Sequence, residues 1–106
     1  MLSSSGFPHL FPNALAPTAS WDKIEQRLTP CKEQSFDMAP CDAWDALQYR
    51  ISQCWQEFGK FLGVNPKDIQ AKYASDPCYG VIVDLHKRRV SIALVIDAIQ
   101  KIQKQQ

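Results

Sequence analysis

Apolar residues recur at intervals of three and four through the middle of the chain, the spacing of one face of an α-helix. They are Trp44, Leu47, Ile51, Trp55, Phe58 and Leu62. Ser52 interrupts this segment and can cap a new helix, so the pattern predicts helices over 42–51 and 53–62, with Asp42 capping the first. One long helix over the same range is also compatible with the pattern.

A shorter helix is predicted before this segment. Ser20 can cap a helix over 21–29 that Pro30 ends, and its apolar positions share one face: Trp21, Ile24 and Leu28. A helix of this length needs tertiary packing to be stable, so this face must dock on the rest of the domain. Residues 30–41 lie between prolines and predict a loop.

Three more helices are predicted towards the C-terminus. Gly63 suits the left-handed turn at a helix end, and Pro66 then begins a helix over 66–73 that presents Ile69 and Tyr73 inward. The last helix, capped by Ser91, runs to about residue 103 with apolar positions Ile92, Val95, Ile96, Ile99 and Ile102.

The segment over 78–85 fits either a helix or a strand. Val81, Ile82 and Leu85 share a helical face, yet Val81–Val83 is also a β-branched run. We favour a helix, because it is the only such run and a lone strand has no partner for its backbone groups. The prediction is therefore an all-α domain with interior residues Trp44, Leu47, Ile51, Trp55, Phe58, Leu62, Ile69, Val81, Leu85, Val95 and Ile99.

The first twenty residues show no sustained period and contain three prolines, one glycine and five Ser or Thr residues. They predict a flexible leader, from which Phe7, Leu10 and Phe11 could dock as an arm. Gly59 lies inside a predicted helix, and we expect it to allow a neighbouring helix to pack closely.

Composition fits one globular domain, since the 106 residues are 45% hydrophobic and 22% charged, with a net charge of +1. That balance argues against a protein that binds nucleic acid or anionic lipid by charge alone, although Lys87, Arg88 and Arg89 form a local basic patch. No apolar run is long enough to span a membrane.

The sequence predicts neither an enzyme nor a cofactor or metal site. The four cysteines lack paired C-x-x-C spacing, so we expect reduced, buried thiols in a cytoplasmic domain rather than a zinc site. Of the two histidines, His9 lies in the leader and His86 beside three cations as an exposed helix-end residue. Phosphate-binding glycine loops and metalloprotease motifs are absent from the sequence.

Two motifs resemble the death-domain family. Trp55, Phe58 and Gly59, followed by Leu62-Gly63-Val64 and then Asp68-Ile69, match the family's pattern around a core tryptophan. Pro77-x-x-Gly80-Val81-Ile82-Val83-Asp84-Leu85 resembles a segment of death domains in uncoordinated-5 netrin receptors and their ZU5/UPA-containing relatives. Ser91 to Ile99 is similar to the family's last helix.

The resemblance covers residues 42–104 and implies a six-helix antiparallel bundle in Greek-key order, with residues 1–41 as an added N-terminal segment. It also implies a module that assembles with other death-domain proteins, or with itself, in apoptotic or NF-κB-type signalling. Partners would meet complementary charged faces, for which the candidates are Lys87, Arg88, Arg89, Asp84, Lys60, Lys67, Asp68, Asp42 and Asp45.

Two other functions fit the sequence. The chain could be a docking domain that packs on the rest of a larger protein, in which case Trp21 or Phe36 would be exposed in the isolated domain. A small helical nucleic-acid binder would instead use residues 87–89 with Lys101 and Lys104, and its binding would depend steeply on salt.

Overall fold

The computed structural model describes residues 14–105, which form six α-helices joined by short turns. They are α1 (Trp21–Leu28), α2 (Cys41–Arg50), α3 (Trp55–Phe61), α4 (Pro66–Lys72), α5 (Pro77–Lys87) and α6 (Ile92–Gln105). Single turns of 3₁₀-helix cover Thr29–Cys31, Phe36–Met38 and Ile51–Gln53. The described residues contain no strand beyond an isolated bridge between Ser35 and Ser91, so the β-branched run lies in a helix as predicted.

Polar side chains begin four of the helices. Ser20 caps α1, Asn65 caps α4 and Asp76 caps α5, each accepting a hydrogen bond from a backbone N–H of the first turn. The Ser91 hydroxyl accepts from the backbone N–H of Ala93 at 3.2 Å at the start of α6. These caps satisfy backbone donors that have no partner inside the helix.

The predicted caps of α2 and α3 were wrong. Pro40 lies at the cap position of α2 and Cys54 at that of α3, and neither makes a capping side-chain bond. Ser52 falls instead in the 3₁₀ turn that separates the two helices, so the break is where the sequence indicated. Asp42 lies in the first turn of α2, where its carboxylate bonds to distant parts of the chain.

One hydrophobic core joins all six helices. The first helix packs on α2 and on the last helix, α6, while α5 contacts α2, α3 and α4. Side chains that are fully or almost fully buried include Ile24, Leu28, Phe36, Leu47, Ile51, Phe58, Val81, Leu85, Ile92, Val95, Ile99 and Ile102. The predicted interior residues are buried except Trp44 and Trp55, which are half-buried at the margin of the core.

The core extends beyond the 42–104 segment, because α1 and the following connection contribute to it. The predicted apolar face of α1 is buried, and Trp21 stacks on Phe58 with ring centroids 6.1 Å apart. The predicted loop over 30–41 holds Phe36, whose side chain is 0% exposed. Residues 21–41 therefore belong to the same packed unit as the rest of the domain.

Backbone and side-chain hydrogen bonds fix the Phe36 turn. The N–H of Phe36 donates to the Val90 carbonyl at 2.7 Å, and that of Ile92 donates to the Gln34 carbonyl at 3.0 Å. The Phe36 carbonyl accepts the indole N–H of Trp44 at 3.0 Å. The indole N–H of the half-buried Trp44 is therefore hydrogen-bonded, while its ring covers the core.

Residues 14–20, the N-terminal arm, lie against α1 and α2 rather than forming a free leader. The N–H of Leu15 donates to Asp42 at 2.8 Å, and the same carboxylate pairs with Arg27 of α1 at 3.1 Å. Arg50 donates to the carbonyls of Thr18 and Ala19, both at 2.8 Å. The expectations for His9, Phe7, Leu10 and Phe11 fall outside the described residues.

Two helices end in the same left-handed turn. After α3, the N–H of Val64 donates to the Gly59 carbonyl and that of Gly63 to the Lys60 carbonyl, with Gly63 at φ 77°. After α5, Val90 and Arg89 repeat this pattern on Leu85 and His86, with Arg89 at φ 52°. Both are Schellman motifs, and the second places an arginine where glycine is usual.

Gly80, and not Gly59, marks the closest approach to another segment. A Cβ on Gly59 would meet Val64 at 3.1 Å, so its neighbour is the turn after its own helix rather than a crossing helix. A Cβ on Gly80 would lie 2.6 Å from the Tyr73 ring and 2.9 Å from the Tyr73 Cβ. That space is too small for any side chain.

Replacing Gly80 by alanine should therefore destabilise the domain by about 1–3 kcal/mol, the usual cost of overpacking. The sign of this change in unfolding free energy is diagnostic, because the same substitution in an open helix interior stabilises by about 0.5–1 kcal/mol. Urea unfolding measures the change. In a Tyr73→Gly background, which removes the Cβ as well as the ring, the added methyl group should instead stabilise, and a loss of equal size in both backgrounds would contradict the packing.

Candidate interaction surface

The nine charged residues predicted to bind partners are spread over α2, α3, α4, α5 and the turn after α5, and three of them form side-chain hydrogen bonds within the domain. Asp42 is held between Arg27 and the N-terminal arm. Asp84 and Arg88 pair with each other at 2.7 Å along α5, and Arg88 also donates to the Leu62 carbonyl at 2.9 Å. Arg88 thus connects the end of α5 to the turn after α3, which sequence spacing did not reveal.

Lys87 and Arg89 point to solvent, and we call them the basic end of α5. Lys87 is exposed and forms no ion pair with a described residue. The Arg89 side chain is 77% exposed and its Nε lies 3.8 Å from Asp37, a distance at which an exposed pair contributes little. Mainly the Ser35 hydroxyl, and to a lesser degree Arg89, hold the pKa of Asp37 below its usual value.

A small groove of about 130 Å³ separates α4 from α5 beside this basic end. Its lining residues, which define the α4–α5 groove, are Asp68, Ile69, Lys72, Tyr73, Val83, Asp84 and Lys87. Ile69 and Val83 give it apolar surface, and charges of both signs line it. Lys72 and Tyr73 were not predicted as site residues, although the i,i+4 spacing of Asp68 and Lys72 could have indicated that they share a helix face.

The other predicted site residues are exposed on separate elements. Lys60 lies on α3, Lys67 on the first turn of α4, and Asp45 on α2. No ion pair within residues 14–105 involves these three side chains. The structure therefore leaves them available to solvent but does not bring Asp45 to the α4–α5 groove.

A wider, shallow depression of about 460 Å³ lies where α2 meets the start of α5. Its lining residues, which define the α2–α5 depression, are Pro17, Asp45, Gln48, Tyr49, Ser52, Asp76 and Cys78. Tyr49 is 54% exposed, and Tyr79, which follows Cys78 in α5 but does not line the depression, is 49% exposed. Sequence reasoning missed this surface because its residues come from four separate segments.

The other chemically active side chains are scattered. His86 is exposed, with its ring edge against Trp44 at a centroid distance of 5.1 Å. All four cysteines are free; the prediction of burial was wrong for Cys41, which is exposed, and the other three are half-buried. Burial is the main cause that raises the pKa of the Cys54 and Cys78 thiols, which favours the neutral form.

Two findings are specific to residues 14–105. No three His, Cys, Asp or Glu side chains there are grouped so that they could hold a metal ion. None of the six helices has the length and apolar character needed to cross a membrane.

No family model, curated protein or solved structure matches the chain.

Proposed function

We propose that this chain is a protein-interaction module of the death-domain type, which assembles with similar helical domains in apoptotic or NF-κB-type signalling in the cytoplasm. An all-helical bundle in which α1 packs beside α6 and α2 beside α5 supports the proposal, although the sixth helix, α1, comes from the segment that the resemblance left out as an N-terminal addition. Of the residues that carry the resemblance, Phe58, Leu62 and Ile69 are buried and Gly63 makes the left-handed turn, whereas Trp55 is only half-buried.

The observation that carries the proposal is the pairing of the basic end of α5 with the α4–α5 groove. Lys87 belongs to both, so a partner carboxylate bound there lies in the same groove as the apolar residues Ile69 and Val83. Protein interfaces commonly combine a small apolar centre with a charged rim. The rim charges set partner choice and association rate more than total affinity.

Arg89 adds a separate argument for this surface. Non-glycine residues rarely adopt positive φ, and such conformations concentrate at functional sites. The turn itself would form more easily with glycine, and the arginine side chain contributes little to the packing because it projects into solvent. Contact with an anionic partner explains why this position holds an arginine, which the fold alone does not require.

Arg88 and Arg89 differ in their contacts within the domain, so they are not equally suited to testing the proposal. From sequence, reversing Arg88 and Arg89 to Glu would abolish assembly without altering the thermal midpoint. Because Arg88 bonds to Asp84 and to the Leu62 carbonyl, reversing it should lower the midpoint as well. Arg88 is therefore a structural residue and unsuitable for separating binding from folding.

Self-association should weaken in the Lys87→Glu, Arg89→Gly double variant while stability is maintained. Each exposed charge is expected to change the association constant by about two- to fivefold. Arg89→Gly removes the cation and relieves the left-handed strain, so the midpoint should stay the same or rise. Light scattering after size exclusion, over rising protein concentration at two salt levels, measures the assembly.

Lys32→Glu is the matched control, because Lys32 is exposed in the turn after α1 and lies outside both surfaces. It should assemble like the unaltered chain. A monomer at every concentration and salt level, together with no capture of death-domain proteins, would count against the proposal. Equal weakening by Lys32→Glu would show a general charge effect instead.

A nucleic-acid-binding function has less support from the arrangement of cations. Arg88 is engaged by Asp84, and Lys101 pairs with Asp97 at 3.0 Å and lies over the Phe61 ring at 5.5 Å. Burial of Trp21 and Phe36 likewise removes the exposed aromatics on which the docking-domain alternative relied.

A further inference from the structure

The α2–α5 depression differs from the α4–α5 groove in chemistry. Its two charged lining residues, Asp45 and Asp76, are both acidic, and no Lys, Arg or His lines it. Neither carboxylate forms an ion pair within the described part of the chain. One Asp76 oxygen accepts the Tyr79 N–H as the cap of α5, while the second oxygen makes no described hydrogen bond.

Aromatic surface accompanies these carboxylates. Tyr49 lies one helical turn after Asp45 and lines the depression with more than half of its surface exposed. Tyr79 follows Cys78 in α5 but does not line the depression; its ring packs edge-on against Tyr73 at a centroid distance of 6.0 Å. An exposed tyrosine such as Tyr49 is a frequent centre of binding energy at interfaces.

The lining also offers neutral polar groups and an apolar edge. Gln48 and Ser52 supply hydrogen-bonding side chains, and Pro17 of the N-terminal arm provides apolar surface. The Cys78 thiol keeps its proton because burial, and secondarily Asp76, raise its pKa. The charge of the depression therefore comes from the two aspartates.

We infer that the α2–α5 depression binds an extended, arginine-containing segment of another protein. A guanidinium can pair with a carboxylate through two parallel hydrogen bonds and stack on a tyrosine ring, which matches the side chains present here. The volume, about 460 Å³, lies within the range of ligand sites and is too small and shallow for a folded domain to enter. This is a second surface, separate from the one in the proposed function, and it selects a different kind of partner.

Titration of the ¹⁵N-labelled chain with the peptide Gly-Ser-Arg-Gly-Arg-Ser-Gly tests the inference. We expect the backbone signals of Tyr49, Ser52 and Cys78 to shift in a saturable way at peptide concentrations up to about 1 mM, the weak end of specific recognition. The same peptide with both arginines replaced by glutamate should leave them unchanged. Absence of shifts with the arginine peptide would overturn the inference.

Variants then separate this surface from the groove. Asp45→Asn with Asp76→Asn removes both charges while asparagine still caps α5, and it should weaken peptide binding about tenfold. Asp68→Asn makes the same chemical change in the α4–α5 groove and should leave peptide binding unaltered. Equal weakening by both variants, or shifts centred on the groove, would contradict the assignment.

A dilution series without peptide completes the test. Signals of the depression should not depend on protein concentration; if they do, a second copy occupies it and the inference is wrong. If the proposed function is wrong, the Lys87→Glu, Arg89→Gly variant will assemble like the unaltered chain, while the arginine peptide still binds the depression.

Discussion

Replacing Phe36 by alanine should cost about 3–5 kcal/mol of unfolding free energy, although the residue lies in a connection between helices. Its side chain is 0% exposed and packs beside Trp44, with ring centroids 6.4 Å apart. Truncation leaves a cavity that the surrounding turn cannot fill, because hydrogen bonds to Val90 and Trp44 fix the backbone. Chemical denaturation, with the midpoint and slope fitted together, measures the loss.

Met38 supplies the matched control in the same 3₁₀ turn. Its side chain is 64% exposed, so Met38→Ala should change stability by less than about 0.5 kcal/mol. If Phe36→Ala were as mild as this control, residues 30–41 would not be part of the core.

Truncating Ile24 to alanine tests the first helix in the same way, with an expected loss of about 2–5 kcal/mol. Ile24 is 0% exposed on the face of α1 that packs against α2 and α6. A helix of eight residues has little stability alone, so its formation depends on this burial. Far-ultraviolet circular dichroism during urea unfolding should show one cooperative transition at lower urea concentration.

Gln26 lies on the exposed side of the same helix and provides the comparison. Gln26→Ala should be neutral or slightly stabilising, because alanine has the higher helix propensity. A second, separate transition in the Ile24 variant would mean that α1 unfolds independently of the other five helices.

Periodic helices were the part of the fold most accessible from sequence. The apolar positions Ile92, Val95, Ile99 and Ile102 follow the helical repeat, and all are buried along α6. The preference for a helix over 78–85 was correct for a related reason, since Val81, Ile82 and Leu85 all face the core. In both segments, the face that the helical repeat marks as apolar is the face that tertiary packing buries.

The Phe36 turn could not be predicted, because one buried residue in a 3₁₀ turn has no period to detect. The same limit applies to the N-terminal arm, whose contacts with Asp42 and Arg50 connect residues far apart in the sequence. Neither segment has a local period of its own, and both are held by contacts with residues far away in the sequence.

In the candidate site, too, local contacts could be predicted from sequence and contacts between distant segments could not. Pairing of Asp84 with Arg88 follows from i,i+4 spacing, but the bond from Arg88 to the Leu62 carbonyl requires the folded positions of two turns. Charge alone therefore could not distinguish the structural Arg88 from the solvent-facing Lys87 and Arg89. The α2–α5 depression likewise became visible only when four segments were brought together.

The contact between α1 and α6 joins the two ends of the described chain, and Gln100 donates a hydrogen bond to Glu25 at 3.0 Å across it. During synthesis on the ribosome, α2 can cover part of the apolar face of the first helix, but the part that packs on α6 stays uncovered until the last helix emerges. Such distant pairing raises the entropic cost of reaching the native state and slows folding. The nascent domain would thus complete its interior only in a late step, with part of the first helix exposed to chaperones until then.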